Sequence, residues 1–258
     1  MRRPIVAVAV MWMIVVLTLT ACSGGSAAPA PSGPSATPAA PRTTAAQGFT
    51  VNGTRAVSAN GSQDTSAQAA GAACDRAQLA SDMNLGNEIA DGFVAANFPA
   101  AASLLRHFLA GAGTGVNYPA GSRISALARA SDEFRVLNEQ VQAAVARQLK
   151  AGDTQVRLPA GQLPTVTFSA TTSDLYWSFR GTQGLTVTGS GSRKNGRYVG
   201  TLTYVIRDSY GFPVDDTLGG FGPPMRYLQT VCGAPQYAGG AHWFPDTITV
   251  TVPFNQPA

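Results

Sequence analysis

The sequence predicts an α+β fold: N-terminal helices packed on a mainly antiparallel sheet, forming a single domain behind a disordered tether. Three observations carry this. Apolar residues recur at helical spacing between Cys74 and Gly152, they alternate singly after Gly152, and the stretch from Ser23 to Ala73 holds scarcely a large apolar side chain. Helices first and strands afterwards favour an antiparallel sheet covered on one face.

The tether is expected over residues 22–73, because "SGGSAAPAPSGPSATPAAPRTTAAQG" cannot bury enough surface to offset the entropy of ordering it. The first helix is expected in "DRAQLASDMNLGNEIADGFVAANF", with Leu79, Met83, Ile89 and Phe93 on its apolar side and Gly86 and Gly92 weakening it. Pro99 suits the first turn of a second helix, "PAAASLLRHFLAG", which Gly111 stops. The strongest helix is "SDEFRVLNEQVQAAVARQLKAG": Ser131 caps it, Asp132 and Glu133 complement its N-terminus, and Lys150 and Gly152 close it. Phe134, Leu137, Val141, Val145 and Leu149 trace one face.

Beyond Gly152, Val166 and Phe168, then Leu175, Trp177 and Phe179, alternate as in strands. "GLTVTGSGSRKNGRYVGTLTYVI" reads as a hairpin whose Asn195-Gly196 fits a type I′ turn. A short helix, "PMRYLQTVCG", precedes a last strand, "DTITVTVPF", in which Ile248, Val250 and Val252 point one way and threonines the other.

The chain opens with Arg2 and Arg3, an apolar run from Ile5 to Leu19, and then Leu19-Thr20-Ala21-Cys22. The run is short for a membrane span. Charge, run and cysteine together resemble the signal peptide and lipobox of bacterial lipoproteins. In that family the cysteine thiol receives a diacylglycerol and a dedicated peptidase cleaves before it. The resemblance implies a signal peptide over 1–21, lipidation at Cys22, the tether over 22–73 and a globular domain over 74–258. It also implies a protein anchored to the cell membrane on its extracytoplasmic face, with membrane lipid as a partner and an envelope protein or glycan as a further one.

Removing Arg2 and Arg3 from the 18 basic residues leaves sixteen, against fourteen acidic ones. Arginines spread along the chain in this way do not make the clustered positive surface that nucleic acid needs, so no nucleic-acid partner is expected. With Cys22 acylated, Cys74 and Cys232 form an even pair in an oxidising compartment and are expected to be bridged. A second resemblance rests on "DLYWSFRGTQGLTVTGSGSRKNGRYVGTLTYVIRDSYGF", "MRYLQTVCGAPQYAGGAHWF" and the upstream "HFLAGAGTGV". Residues 98 to 245 look like an uncharacterised C-terminal module of secreted actinobacterial and polymorphic-toxin-associated proteins. That family usually places an acidic residue or Asn between two loop aromatics where this chain has Gly211, and it carries no catalytic residues across.

Candidate chemistry is sparse. His107 and His242 lie among apolar neighbours with no ligand at metal spacing, so neither a metal nor a cofactor is expected. Cys232 could serve as a nucleophile only if unbridged. A G-x-S-x-G elbow is absent, neither Lys150 nor Lys194 follows a serine at S-x-x-K spacing, and "GAGTG" (111–115) follows a helix rather than a strand. What remains is "RDSYGFPVDD", whose Asp208 with Asp215 or Asp216 could act as paired carboxylates on a wall glycan. The same residues also spell the turn that ends a strand, with Gly211 bending and Pro213 breaking it. The sequence therefore predicts a binding or scaffolding domain, with the glycan hydrolase as the alternative. The binding reading expects an exposed aromatic face drawn from Trp177, Tyr210, Phe212 or Trp243.

Overall fold

The computed structural model describes residues 47–56, 73–179, 182–212, 219–234 and 237–258. The signal peptide, Cys22, Asp215 and Asp216 lie outside these residues. From Thr44 to Ala258 the chain forms one compact α+β unit. Its strands are β1 (Gly48–Ala56), β2 (Val116–Tyr118), β3 (Gln155–Leu158), β4 (Gly184–Lys194), β5 (Arg197–Tyr210) and β6 (Phe244–Pro257). Its helices are α1 (Arg76–Ala95), α2 (Pro99–Leu109), α3 (Arg123–Ala130), α4 (Asp132–Lys150), α5 (Asp174–Ser178) and α6 (Gly222–Thr230).

The strands make a single sheet in the order β2-β6-β5-β4-β1-β3. The four central strands are antiparallel, while short β2 and β3 run parallel to β6 and β1 at the two edges. The β4–β5 turn is as expected: Asn195 and Gly196 have φ of 48° and 69°, the left-handed pair that a type I′ turn requires. Leu185 and Val187 on β4, Leu202, Tyr204 and Ile206 on β5, and Ile248, Val250, Val252 and Phe254 on β6 fill the inward positions. The intervening Thr, Ser and Asn residues face outward.

Helix α4 closes the inner face. Ser131 Oγ accepts the Phe134 N–H and Asp132 and Glu133 occupy the first turn, as the sequence indicated. Phe134 meets the Tyr204 ring edge-on at 5.1 Å. Tyr204 Oη donates to Asn138 Oδ1 at 2.9 Å, which satisfies a buried hydroxyl that would otherwise oppose burial. Tyr198 Oη donates to the Leu149 carbonyl at 2.9 Å and fixes the far end of the helix. In α1, Gly86 now has a reason, because a Cβ there would lie 2.8 Å from Leu109 of α2.

Three expectations are corrected. The sequence places residues 22–73 in the tether, yet residues 48–56 form β1, hydrogen-bonded between β3 and β4. Phe49 and Val51 are 4% and 1% exposed, and each such burial stabilises by about 1.5–3 kcal/mol. The room comes from glycine: a Cβ on Gly191 would sit 2.5 Å from the Phe49 ring. Secondly, Leu175, Trp177 and Phe179 lie in and just after helix α5, which Ser173 caps, and not on a strand. Residues four apart share a helix face as well as a strand face, so the buried Leu175 and Phe179 fit both periods. Finally, Val166 and Phe168 are buried but belong to no strand.

The expected disulfide forms between Cys74 and Cys232, with Cα atoms 5.0 Å apart across 158 residues of sequence. It ties the start of α1 to the end of α6, where the Tyr227 hydroxyl also accepts the Asp75 N–H at 2.8 Å. Replacing both cysteines with alanine is expected to destabilise the domain by up to ~5 kcal/mol, the chain-entropy limit for so long a loop. The loss is read as a lowered urea midpoint, and an unchanged midpoint would contradict a structural role for the bridge.

Candidate functional site

The inward alternation of β5 and β6 ends in carboxylates. After Tyr204 and Ile206 the next inward position on β5 is Asp208, and before Ile248 the preceding inward position on β6 is Asp246. Register places the two directly opposite each other. In an antiparallel pair, opposite residues point to one face with Cα atoms roughly 4.5–5.5 Å apart. On one side of them lies the Ile206–Ile248 pair, and on the other Tyr210 and Phe244, whose rings stack at 5.5 Å. An acidic layer thus interrupts an apolar strand-to-strand seam.

Asp208 is 8% exposed and Asp246 1% exposed. Asp208 Oδ1 accepts the Ser209 N–H at 2.8 Å. Both carboxyl oxygens of Asp246 are buried without a hydrogen-bond partner. Burial, reinforced by the facing Asp208, holds the Asp246 pKa well above the usual carboxylate range, against a smaller opposing effect of its own backbone N–H. Tyr118, on β2 opposite Ile248, adds a buried hydroxyl without a partner. Burial, with the charges of Asp246 and Asp174, pushes its phenol up to about 12. Asp174 is buried but satisfied: its carboxylate accepts the Ala100 and Ala101 N–H groups at 3.1 and 2.9 Å, capping α2 from a different helix.

The arrangement keeps the proton on Asp246 to higher pH than an exposed carboxyl would. It does not present a cleft to a polymer, since Asp246 is sealed from solvent. Asp208, the candidate from sequence, therefore faces a carboxyl that sequence reasoning missed. Its expected partners Asp215 and Asp216 fall outside the described residues. A signal for Asp246 was present: the period of Ile248, Val250 and Val252, extended one step back, lands on it.

The other candidates resolve simply. Cys232 is bridged and buried, which removes it as a nucleophile. His107 Nε2 lies 2.8 Å from the Thr114 carbonyl and its ring packs edge-on against Phe244, joining α2 to the "GAGTG" connector. That connector takes positive φ at Gly111 and Gly113, and a Cβ on Gly111 would reach within 2.6 Å of the Gly240 carbonyl. His242 is exposed. Among the described residues no three His, Cys, Asp or Glu side chains gather as metal ligands, and no helix is long and apolar enough to cross a membrane.

Of the four residues named for an aromatic docking face, Phe212 is buried, while Trp177, Tyr210 and Trp243 are half-buried. Phe212 packs on Phe108 at 5.1 Å, Trp177 on Phe93 at 5.4 Å, and Tyr210 stacks on Phe244. The exposed large hydrophobic residues among those described are Val94, Val136 and Val199. The domain also offers the outer sheet face, where Asn52, Thr188, Thr203 and Thr251 align across four strands. Thr50, Ser190 and Thr201 make a parallel row beside them.

No protein-family model matches this chain, and no curated protein or solved structure matches it either.

The buried carboxyl makes a thermodynamic prediction. Well below 3.8, Asp246 is protonated in the folded and unfolded chains alike and contributes no pH dependence. Above that value the unfolded chain releases the proton while the folded chain keeps it, so stability falls with rising pH until the folded group titrates as well. Asp246→Asn is expected to flatten this decline as the pH rises above about 4 and to raise the urea midpoint on the high-pH side of it. Parallel profiles for the two proteins would refute the assignment.

Proposed function

We propose that this protein is a lipid-anchored envelope protein whose α+β domain binds or scaffolds a partner at the outer face of the cytoplasmic membrane. One observation carries the reading. The Cys74–Cys232 bridge uses two of the three cysteines, so the remaining thiol is that of Cys22, at the end of Leu19-Thr20-Ala21-Cys22. A bridged pair also suits an oxidising compartment outside the cytoplasm. Two acyl chains on Cys22 would give a stable anchor where one gives a marginal one.

The binding half of the reading draws on the outer sheet face. Its aligned hydroxyl and amide side chains supply donors and acceptors on a rigid, regularly spaced platform, suited to a polar partner such as an envelope glycan or protein. The hydrolase alternative gains nothing from the described site, because the carboxyl that faces Asp208 is the sealed one of Asp246.

Expressed in a bacterium with lipoprotein processing, the parent protein is expected to partition into the detergent phase and to carry a diacylglycerol mass on its N-terminal cysteine. Cys22→Ala should lose both properties. Detergent partitioning that survives the substitution would sink the anchor.

A further inference from the structure

The register of the central strands fixes which side chains share an end of the sheet. Gly48 faces Ser192, and Arg193 N–H donates to the Gln47 carbonyl at 3.1 Å, so the chain enters the domain beside the β4–β5 turn. Lys194 and Arg197 are paired directly across that turn, and Arg193 faces Tyr198. Through the Tyr198 hydroxyl bond to the Leu149 carbonyl, the last turn of α4, with Arg147 and Lys150, belongs to the same end. All five cations are exposed, and none makes a salt bridge with a carboxylate among the described residues. Asp153 follows α4 directly, and the Ala258 N–H donates to the Gly196 carbonyl at 2.9 Å, which brings Ala258 to the same turn. Asp174, Asp208 and Asp246 cluster toward the opposite end of the strands.

The charge is therefore scattered in sequence and shares one end of the sheet. Its place matters more than its size. Residues 22 and 47 are twenty-five apart in sequence, so an anchor at Cys22 would hold Gln47 within about 90 Å of the bilayer at the most. A domain held within that reach can contact the bilayer, and the end at which the tether enters is the positive one.

We infer that the β4–β5 hairpin end, with Arg193, Lys194 and Arg197 at its tip and Arg147 and Lys150 behind them, is a docking surface for an anionic phospholipid bilayer. Each basic residue brought to such a surface strengthens binding about fivefold, within a Debye length of roughly 8 Å at physiological salt. Docked this way, the strands stand away from the membrane and the hydroxyl-bearing face is left free along its length. The inference rests on the lipid-anchor reading, and its test is chosen to fail separately.

The test uses the processed chain from residue 22 with Cys22→Ser, so that no acyl group contributes, and sedimentation with vesicles. The protein is expected to bind phosphatidylglycerol-containing vesicles, to ignore pure phosphatidylcholine ones, and to release as salt is raised. Replacing Arg193, Lys194 and Arg197 with Glu should weaken binding more than tenfold. Replacing Arg76, Arg123 and Arg129 with Glu, an equal change in net charge elsewhere on the surface, should leave most of it. Equal losses in the two triple variants, or no preference for anionic vesicles, would overturn the docking surface. It would also be overturned if the hairpin variant kept its vesicle binding but lost binding to a soluble phosphodiester polymer, which would reassign the patch to a wall polymer. None of these outcomes bears on acylation, which is read by mass at Cys22. Circular dichroism of each variant checks that the fold survives the substitutions.

Discussion

The β5–β6 ladder is the constraint on which the rest of the structure depends. It pairs fourteen positions without a bulge, from Arg197 opposite Pro257 to Tyr210 opposite Phe244. A slip of one residue would exchange every inward side chain for an outward one and expose Tyr204, Ile206, Ile248 and Val250 together. That cost locks the register, and the locked register places everything else. It puts Asp208 against Asp246 at one end, brings the basic turn and the last turn of α4 together at the other, and lines up the outward threonines between them. Helix α4 reads the same register through Phe134, Asn138 and Leu149, each set against a particular tyrosine of β5.

Much of this was legible in the sequence because it is locally encoded. Ser131, Asp132 and Glu133 announce α4, Asn195-Gly196 announces the hairpin, and an even cysteine pair announces the bridge. What escaped depends on distant partners. Strand β1 carries only two large apolar residues, Phe49 and Val51, so composition assigned it to the tether. The room for its Phe49 comes from Gly191 on β4, some 140 residues later in the chain. Helix α5 escaped because residues four apart satisfy both periods. Helix α3 is a short "RISALARA" capped by Ser122 and held by the Ser125 hydroxyl on the Thr249 carbonyl, a contact no local pattern states. The carboxyl pair escaped for the strongest reason: opposition across two strands is a property of register, and register is not written in either strand alone.

The acidic layer is where sequence and packing conflict most plainly. A buried carboxyl without hydrogen bonds opposes folding by about 1–3 kcal/mol or more, and an apolar residue at position 246 would continue the seam between Ile248 and Phe244. Burial first, and the facing Asp208 second, disfavour the charged form of Asp246 and so favour its protonated carboxyl. Local rules broken inside an otherwise consistent core tend to fall at sites with a task. Here the conflict lies at the opposite end of the strands from the basic turn, beside the exposed Arg207 of β5.

The position of β1 has a mechanical consequence. The strand is not an outer edge: it is bonded to β4 along all nine of its residues and to β3 over part of its length. A pull on Gln47 directed along β1, away from the sheet, would act parallel to the strand and perpendicular to its hydrogen bonds. The ladder is then loaded in shear, with its bonds sharing the force instead of parting one at a time. Should β1 nevertheless slide out, extension halts at Cys74, where the load passes through the disulfide to Cys232; the elements between the two cysteines, α1 to α6 and β2 to β5, are spared, while β6 lies beyond the bridge.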